Sequence, residues 1–230
     1  MVSAIILAGG RGKRIGKDIS KQFIIINEKP ILYYTIKKFL ECKSVDEIVL
    51  VLPKDEISYC KEHVLKKHSL KVDKIVEGGK ERQDSVYNGL KVLSETDIIV
   101  IHDGARPFIS ESIIDKGIEC AVKYGAAAPG VMPKDTIKVR DKNFFSKETL
   151  NRSELVSVQT PQVFKSEIIK ECHEKIKEDN FIATDDTMVV ERYGYKVYLY
   201  EGDYKNIKIT TPEDLFLAEY MLKKDSKNLY

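Results

Sequence analysis

Short apolar runs that do not alternate with polar residues recur along this chain of 230 residues. The runs "IVLVL" and "IIVI" are the clearest, and a strand that is apolar on both faces is typical of a parallel sheet covered by helices. Helical patterns separate these runs, which favours an α/β fold with a mostly parallel sheet. The strand candidates are residues 2–7, 47–52, 71–77, 97–101, 127–131 and 196–201.

Three helical segments carry start signals. Pro30 can open the first helix, and its apolar stripe would consist of Ile31, Leu32, Thr35, Ile36, Phe39 and Leu40. Ser110 is placed to cap a second helix that ends before Gly125. The stretch "TPED" at 211–214 combines a cap, a helix-opening proline and acidic first-turn residues, so we expect a last helix there.

Residues 136–164 break this alternation. The strand-like pieces "TIKVR" and "LVSVQ" flank a polar stretch that has no helical pattern. A two-stranded arm that leaves the main sheet and a mixed antiparallel edge fit this pattern equally well, and such arms commonly meet a partner subunit. We expect a single domain over residues 1–230, with a projecting β-arm at about 136–164.

Composition restricts the possible partners. The 38 Lys and Arg residues are nearly balanced by 36 Asp and Glu residues, so the net charge of +2 argues against nucleic acid. Four scattered cysteines lack C-x-x-C spacing and nearby histidine pairs, which predicts reduced thiols in a cytoplasmic protein. No segment resembles a signal peptide or approaches the ~20 apolar residues that span a bilayer, so we expect a soluble protein without membrane contact.

The densest cluster of positive charge lies in "LAGGRGKRIGKDISKQF" at residues 7–23. Its glycines follow the first strand, but the stretch lacks the end of a Walker A loop, and its third glycine comes one residue too late for a dinucleotide fingerprint. Arg14 and Lys21 add more charge than a dinucleotide needs, whereas a nucleoside triphosphate under attack requires such cations. The simpler alternative is a solvated basic turn.

A second cluster, "IHDGARPF" at 101–108, follows an apolar strand. His102, Asp103 and Arg106 would therefore lie at a carboxyl end of the sheet, where open parallel sheets bind ligands. Asp103 can help to hold a Mg²⁺ ion whose shell is completed by substrate phosphates, and Arg106 can bind an anionic group. The alternative is an Asp–Arg pair that only shapes the turn. We expect His102 to serve packing or hydrogen bonding, and Asp103 to be exposed.

Further polar clusters are weak singly but specific in their order. They are "LAGGRGKRIG", "SKQF", "GGKERQDSV", "HDGARPF", "KDTIK", "NRSEL", "QTPQVF", "TDDT" and "NIKITTPEDL". With them the chain resembles the 2-C-methyl-D-erythritol 4-phosphate cytidylyltransferase family over nearly its whole length. The resemblance implies a Rossmann-like α/β domain with helices on both faces and a β-arm that builds a homodimer. It also implies transfer of the cytidylyl group of CTP to methylerythritol phosphate, with Mg²⁺ and release of pyrophosphate, in non-mevalonate isoprenoid synthesis.

The resemblance also implies roles for individual residues. The catalytic cations flanking the α-phosphate would be Arg14 and Lys21. The residues that would bind the nucleotide or its phosphates are Ala8, Gly9, Gly10, Gly12, Gly79, Ser85 and Lys208. The residues that would bind the alditol phosphate are Asp103, Arg106, Thr136, Arg152, Thr160 and Thr184, with Thr136 and Arg152 reaching it from the other subunit.

Three positions depart from the family pattern. Ser20 stands where the family usually has proline, so the loop is expected to be less rigid when empty. Gly9 and Gly104 stand where alanine is common, and every charged role remains filled. Two alternatives stay open: another alditol-phosphate cytidylyltransferase, such as one acting on ribitol 5-phosphate, and a non-catalytic nucleotide-binding module.

Overall fold

The computed structural model describes residues 1–9, 20–179 and 181–227. Its strands are β1 (Val2–Leu7), β2 (Ile25–Ile26), β3 (Lys29–Pro30), β4 (Glu47–Leu52), β5 (Lys74–Glu77), β6 (Ile98–Asp103), β7 (Ala126–Val131), β8 (Lys138–Arg140), β9 (Ser146–Thr149), β10 (Ser157–Val158), β11 (Gln162–Lys165) and β12 (Tyr198–Glu201). Its helices are α1 (Ile31–Glu41), α2 (Ile57–Cys60), α3 (Arg82–Val92), α4 (Glu111–Tyr124), α5 (Ser166–Glu178), α6 (Asp186–Arg192) and α7 (Pro212–Lys227).

The main sheet has eight strands. Seven follow the order β10-β7-β11-β6-β1-β4-β5, and β12 pairs with β7. Strands β6, β1, β4 and β5 run parallel, whereas β11 is antiparallel to both β6 and β7. The carboxyl ends of the four parallel strands therefore lie along one edge, where they position the loops that follow them.

Helices cover both faces of this sheet. One face buries side chains of α1, α2 and α4, among them Ile36, Phe39, Cys60 and Ile114. The other face buries side chains of α3, α5 and α6. A smaller cluster seats α7 through Ala218 against Ile24, Ile31 and Ile209. The predicted α/β fold with helices on both faces is confirmed, and no helix in the described part of the chain is long and apolar enough to cross a membrane.

Most predicted strands are present, with shifted ends. The strand predicted at 71–77 begins only at Lys74, and the one predicted at 97–101 continues through Asp103, so His102 and Asp103 belong to β6 itself. Strand β11 was not predicted, although it lies inside the sheet between β6 and β7. Leu40, predicted on the buried stripe of α1, is exposed, and Tyr33 is buried instead.

The predicted starts of α4 and α7 have the correct positions, but the hydrogen bonds at these helix ends differ from those expected. Ser110 precedes α4, but its hydroxyl contacts Ser112 rather than a backbone amide. Helix α7 begins at Pro212, and Asp214 accepts hydrogen bonds from the backbone of Thr210 and Thr211.

The interval 136–164 divides into two parts. Strands β8 and β9 form a two-stranded sheet of their own, in which every residue is exposed. Strand β10 instead pairs with β7 in the main sheet. The β8–β9 sheet thus fits the interpretation as a two-stranded arm, and β10 fits the interpretation as an antiparallel edge.

Candidate active site

A cavity of about 300 Å³ opens at the carboxyl edge of the parallel strands. It is lined by Leu7, Ala8, Gly9, Lys21, Gln22, Gly79, Lys80, Glu81, Arg82, Ser85, Asp103, Ala105 and Lys208. Seven of the residues singled out in the sequence, namely Ala8, Gly9, Lys21, Gly79, Ser85, Asp103 and Lys208, thus come together here from distant parts of the chain. Such a concave site with a few convergent charged groups is typical of a small-ligand site.

One wall of the cavity is the turn between β5 and α3. The backbone amide of Gly79 donates to the Ser85 hydroxyl over 3.0 Å, and that hydroxyl donates to the carbonyl of Glu81 over 3.2 Å. A side chain at Gly79 would overlap the Cβ atom of Asp84, so only glycine fits this approach. Ser85 therefore closes the turn, and its hydroxyl can exchange a partner for a ligand atom.

Lys21 lies on the opposite wall, in a short helical turn over Lys21–Phe23. Its ammonium donates to the carbonyl of Ile209 over 3.3 Å, next to Lys208. Its two neighbours, Ser20 and Gln22, are both fixed by Glu56, because the Ser20 hydroxyl and the Gln22 side-chain amide donate to the carboxylate of Glu56. Ser20 thus anchors this turn to Glu56 through its side chain.

Asp103 forms the floor of the cavity and is only 8% exposed, so the expectation of an exposed side chain is wrong. Its Oδ2 atom lies 2.7 Å from the ammonium of Lys208 and 3.8 Å from Nε of Arg106. Its Oδ1 atom lies 3.7 Å from Nε of Arg82. Burial would raise the pKa of this carboxyl, but Lys208, Arg82 and Arg106 outweigh burial and hold the pKa well below its usual value. Asp103 is therefore ionised.

Arg106 and Thr160 lie behind the floor of the cavity. Arg106 donates through Nη1 to the carbonyl of Asn206 over 2.7 Å, which ties the loop after β6 to the segment that carries Lys208. The buried Thr160 hydroxyl accepts from the amide of Asp103 over 3.1 Å and bonds Nδ1 of His102 at the same distance. His102 is fully buried, as its expected packing role requires, and burial lowers its pKa to about 4.

Thr184 does not line the cavity. It is exposed, and its hydroxyl contacts the sulfur of Met188. Asp185, rather than Thr184, is the cap of α6 and accepts from the amide of Met188. Asp185 directly precedes the first residue of α6, the position from which a side-chain oxygen can accept from a free amide of the first turn.

Arg82 is a cavity residue that the sequence arguments did not assign. It begins α3 and donates through Nη1 to Asp186 over 2.7 Å. Arg82 belongs to the motif "GGKERQDSV" and Asp186 to the motif "TDDT", but motifs about a hundred residues apart do not reveal that two of their residues are in contact.

Thr136 and Arg152 lie away from the cavity lining, at the base of the two-stranded sheet. Both are exposed, and Arg152 donates to the carbonyl of Lys134 over 2.8 Å. Gly10, Gly12 and Arg14 lie outside the described residues.

Asp103 is the carboxylate in the cavity floor that is best placed to meet a metal ion. Among the residues that the structure describes, no group of three His, Cys, Asp or Glu side chains could hold a metal ion. A single carboxylate fits a Mg²⁺ ion bound largely through substrate phosphates, which is the usual way this ion is held in nucleotide enzymes.

The whole arrangement favours a polyanion. Lys21, Lys80 and Lys208 contribute positive charge to a glycine-lined cavity that also carries the carboxylates of Glu81 and Asp103. The charge of Arg82 is paired with buried Asp186. In such a site, fixed cations stabilise negative charge that develops on phosphate oxygens during a reaction.

Comparison with known proteins gives one family throughout. A model of the 2-C-methyl-D-erythritol 4-phosphate cytidylyltransferase family matches residues 2–224. The chain is 62% identical over 223 residues to the protein of that name from Clostridium beijerinckii, covering 97% of this chain and 99% of the relative. The solved synthase of 4-diphosphocytidyl-2C-methyl-D-erythritol from Anaerococcus prevotii is 34% identical with a TM-score of 0.86, and covers 96% of each chain. The solved cytidylyltransferase from Thermus thermophilus is 29% identical with a TM-score of 0.79, covering 95% of this chain and 98% of that one.

Proposed function

This chain belongs to the 2-C-methyl-D-erythritol 4-phosphate cytidylyltransferase family, and we propose that it performs this reaction in the cavity described above. The enzyme transfers the cytidylyl group of CTP to methylerythritol phosphate and releases pyrophosphate, in non-mevalonate isoprenoid synthesis. The membership confirms the resemblance seen in the sequence and favours neither ribitol 5-phosphate as substrate nor a non-catalytic binding module. The observation that supports the site is the meeting of Lys21, Lys208, Gly79 and Ser85 around Asp103.

The base and ribose of CTP would occupy the wall formed by Ala8, Gly9, Gly79 and Ser85. Gly9 and Gly79 present backbone without side chains, so a flat base can approach closely. The Ser85 hydroxyl accepts from the Gly79 amide and donates to the Glu81 carbonyl. Its second lone pair remains to accept a hydrogen bond from the nucleotide.

The triphosphate would face Lys21 and Lys208. A phosphate oxygen of the alditol phosphate attacks the α-phosphorus of CTP, and the bond from that phosphorus to the pyrophosphate breaks. The nucleophile belongs to the substrate, so the chain needs no side chain to form a covalent intermediate. Lys21 would stabilise the charge that develops around the α-phosphate, together with Arg14, Gly10 and Gly12, which lie outside the described residues.

The alditol would lie over Asp103, with its hydroxyls near that carboxylate and its phosphate within reach of Lys208. Arg106 and Thr160 support this floor through Asn206 and through the backbone of Asp103. A direct contact from Thr184 would require the segment around 184 to approach the cavity from its exposed position.

We also propose that Mg²⁺ takes part, held by Asp103 and the phosphates of CTP. Bound there, the ion would offset negative charge on the triphosphate. Its position at Asp103 requires Lys208 to give up the 2.7 Å contact with Oδ2.

The active form would be a homodimer, in which β8 and β9 extend towards a second subunit. A free two-stranded ribbon is marginally stable in water, and here both strands are exposed along their whole length. Phe144 and Phe145 at the tip are 74% and 73% exposed, which favours burial against a partner. Thr136 and Arg152 would then reach the alditol phosphate of the other subunit.

The four buried cysteines, all free thiols, support a reducing cytoplasmic location.

A pyrophosphate-release assay tests the reaction directly. CTP, UTP, ATP and GTP should each be combined with methylerythritol phosphate and with ribitol 5-phosphate, with and without Mg²⁺. We expect release with CTP, methylerythritol phosphate and Mg²⁺ together. Faster release with ribitol 5-phosphate would contradict the proposed substrate, and nucleotide binding without any release would contradict catalysis.

A further inference from the structure

A line of charged contacts runs from the cavity floor into the protein core. Arg82, the first residue of α3, donates through Nη1 to Oδ2 of Asp186 over 2.7 Å and points Nε towards Oδ1 of Asp103 at 3.7 Å. Asp186 is fully buried at the start of α6, and its Oδ1 atom lies 3.1 Å from Nε2 of His173 in α5. Three elements, α3, α6 and β6, thus meet at one guanidinium group, and α5 joins them through Asp186.

The Asp186 end of this line is held by the surrounding fold. The backbone amide of Asp186 donates to Gln162 of β11 over 2.9 Å, and Gln162 in turn donates to Asp185 over 2.8 Å. Asp186 therefore has little freedom to move, and it fixes the guanidinium of Arg82 against it. The planar fork of arginine reaches two carboxylates in two directions, which the single ammonium of lysine cannot do.

The two oxygens of Asp103 face different partners. Oδ1 faces Arg82, whereas Oδ2 faces Lys208 at 2.7 Å and Arg106 at 3.8 Å. Lys208 is about two-fifths exposed and lines the cavity, so a bound phosphate can draw it away. Arg82 lies on the other side of the carboxylate and would still hold Asp103 when Lys208 moves.

We propose that Arg82, anchored by Asp186 and His173, is a positioning residue that holds Asp103 towards the alditol phosphate substrate. The inference rests on the proposed function, because it assigns the purpose of the Asp103 floor to that substrate. It gives Asp186 of the "TDDT" motif a role through Arg82 rather than through contact with substrate. The competing explanation is that Arg82 only neutralises buried Asp186 and ties α3 to α6.

Kinetics of matched variants separate the two explanations. We expect R82Q to raise the KM for the alditol phosphate about tenfold, the effect of losing one charge-assisted contact, while the KM for CTP changes less than about threefold. In the D103N background the same substitution should add almost nothing, because its target is already gone. R82K retains a positive charge beside Asp186 and should fold normally, yet it should show the same rise in alditol KM.

Q83A is the matched control. Gln83 also ties α3 to the segment before α6, through the carbonyl of Phe181 and the amide of Ala183, each over 2.9 Å, and neither hydrogen bond involves Asp103. We expect Q83A to lower the midpoint of thermal unfolding and to leave the alditol KM within about twofold. A full additive effect of R82Q in the D103N background, or a normal alditol KM in R82K, would overturn the proposal. Absence of pyrophosphate release by the wild-type chain would instead overturn the proposed function.

Discussion

The cavity floor and the β8–β9 ribbon differ in how the chain holds them. Asp103 is buried, lies near three cations, and receives support from Thr160 through its backbone. The ribbon is exposed on both strands, and Arg152 at its base bonds one backbone carbonyl of the same chain. Residues of the floor therefore take their positions from the chain itself, whereas residues of the ribbon would take theirs from a partner.

This contrast separates two kinds of functional residue. A side chain on a sheet end can be placed to within a fraction of an ångström by buried contacts, which suits chemistry at the α-phosphate. A side chain on a free ribbon gains its place only on association, so its contribution depends on the concentration of subunits. The predictions below test this division, beginning with the largest effect.

Replacing Lys21 by alanine should reduce kcat by ~10²–10³, with a much smaller change in the KM for CTP, because a catalytic cation matters most as charge develops. Steady-state kinetics with both substrates measure the effect. Lys37→Ala is a suitable control, since Lys37 is an exposed residue of α1 paired with Glu41, away from the cavity. A near-normal kcat in Lys21→Ala would remove this residue from catalysis and assign the charge stabilisation to Arg14.

Mixing two inactive variants tests the ribbon. Arg152→Ala and Lys21→Ala subunits should each be poor alone, because one lacks a group for the alditol phosphate and the other a catalytic cation. In a mixed two-fold dimer, one site would carry both changes and the other neither. An equilibrated equal mixture should therefore recover about a quarter of wild-type activity, since about half of the dimers are mixed. If mass spectrometry verifies exchange and no activity returns, both residues serve the same subunit's site.

Replacing Asp103 by asparagine should affect both function and stability, in contrast to Arg152→Ala. The loss of a buried carboxylate leaves three cations facing one another, which costs about 1–3 kcal/mol of unfolding free energy. We expect a lower midpoint of chemical denaturation and a raised KM for the alditol phosphate. The Arg152→Ala variant, with an exposed side chain, should unfold like the wild type. Equal stabilities of the two variants would contradict the contrast between floor and ribbon.

The parallel part of the fold was predictable from the sequence because its strands are apolar on both faces. Strand β11 was not, since "QVFK" is short and polar at both ends, and it joins the sheet only through long-range pairing with β6 and β7. The site residues at strand ends, such as Asp103 at the end of β6 and Gly79 after β5, were found by position. Arg82 and Asp186 were missed because their contact spans 104 residues of sequence. The burial of Asp103 was also missed, because the three cations that stabilise its buried charge come from separate segments of the chain.

The last prediction concerns the pH dependence of stability that buried His102 confers at the end of β6. His102 contacts Thr160, the carbonyl of Arg106 and the ring of Phe39, and burial lowers its pKa from 6.5 to about 4. Between these two values the unfolded chain binds a proton that the folded chain does not. Stability should therefore fall as the pH drops from about 6.5 towards 4, with a slope from His102 of at most about 1.4 kcal/mol per pH unit.

Chemical denaturation of the wild type and His102→Gln at several pH values measures this slope. Glutamine does not titrate, so the variant should be less stable at pH 7 yet lose less stability on acidification. Asp103, whose pKa in the fold lies well below its usual value, also contributes to the loss of stability near pH 4. That contribution is common to both proteins, so the difference between their pH profiles reports His102. Parallel pH profiles for the two proteins would mean that His102 takes up its proton at the same pH in the folded and the unfolded chain. The end of β6 would then be open to water, which contradicts the buried floor described here.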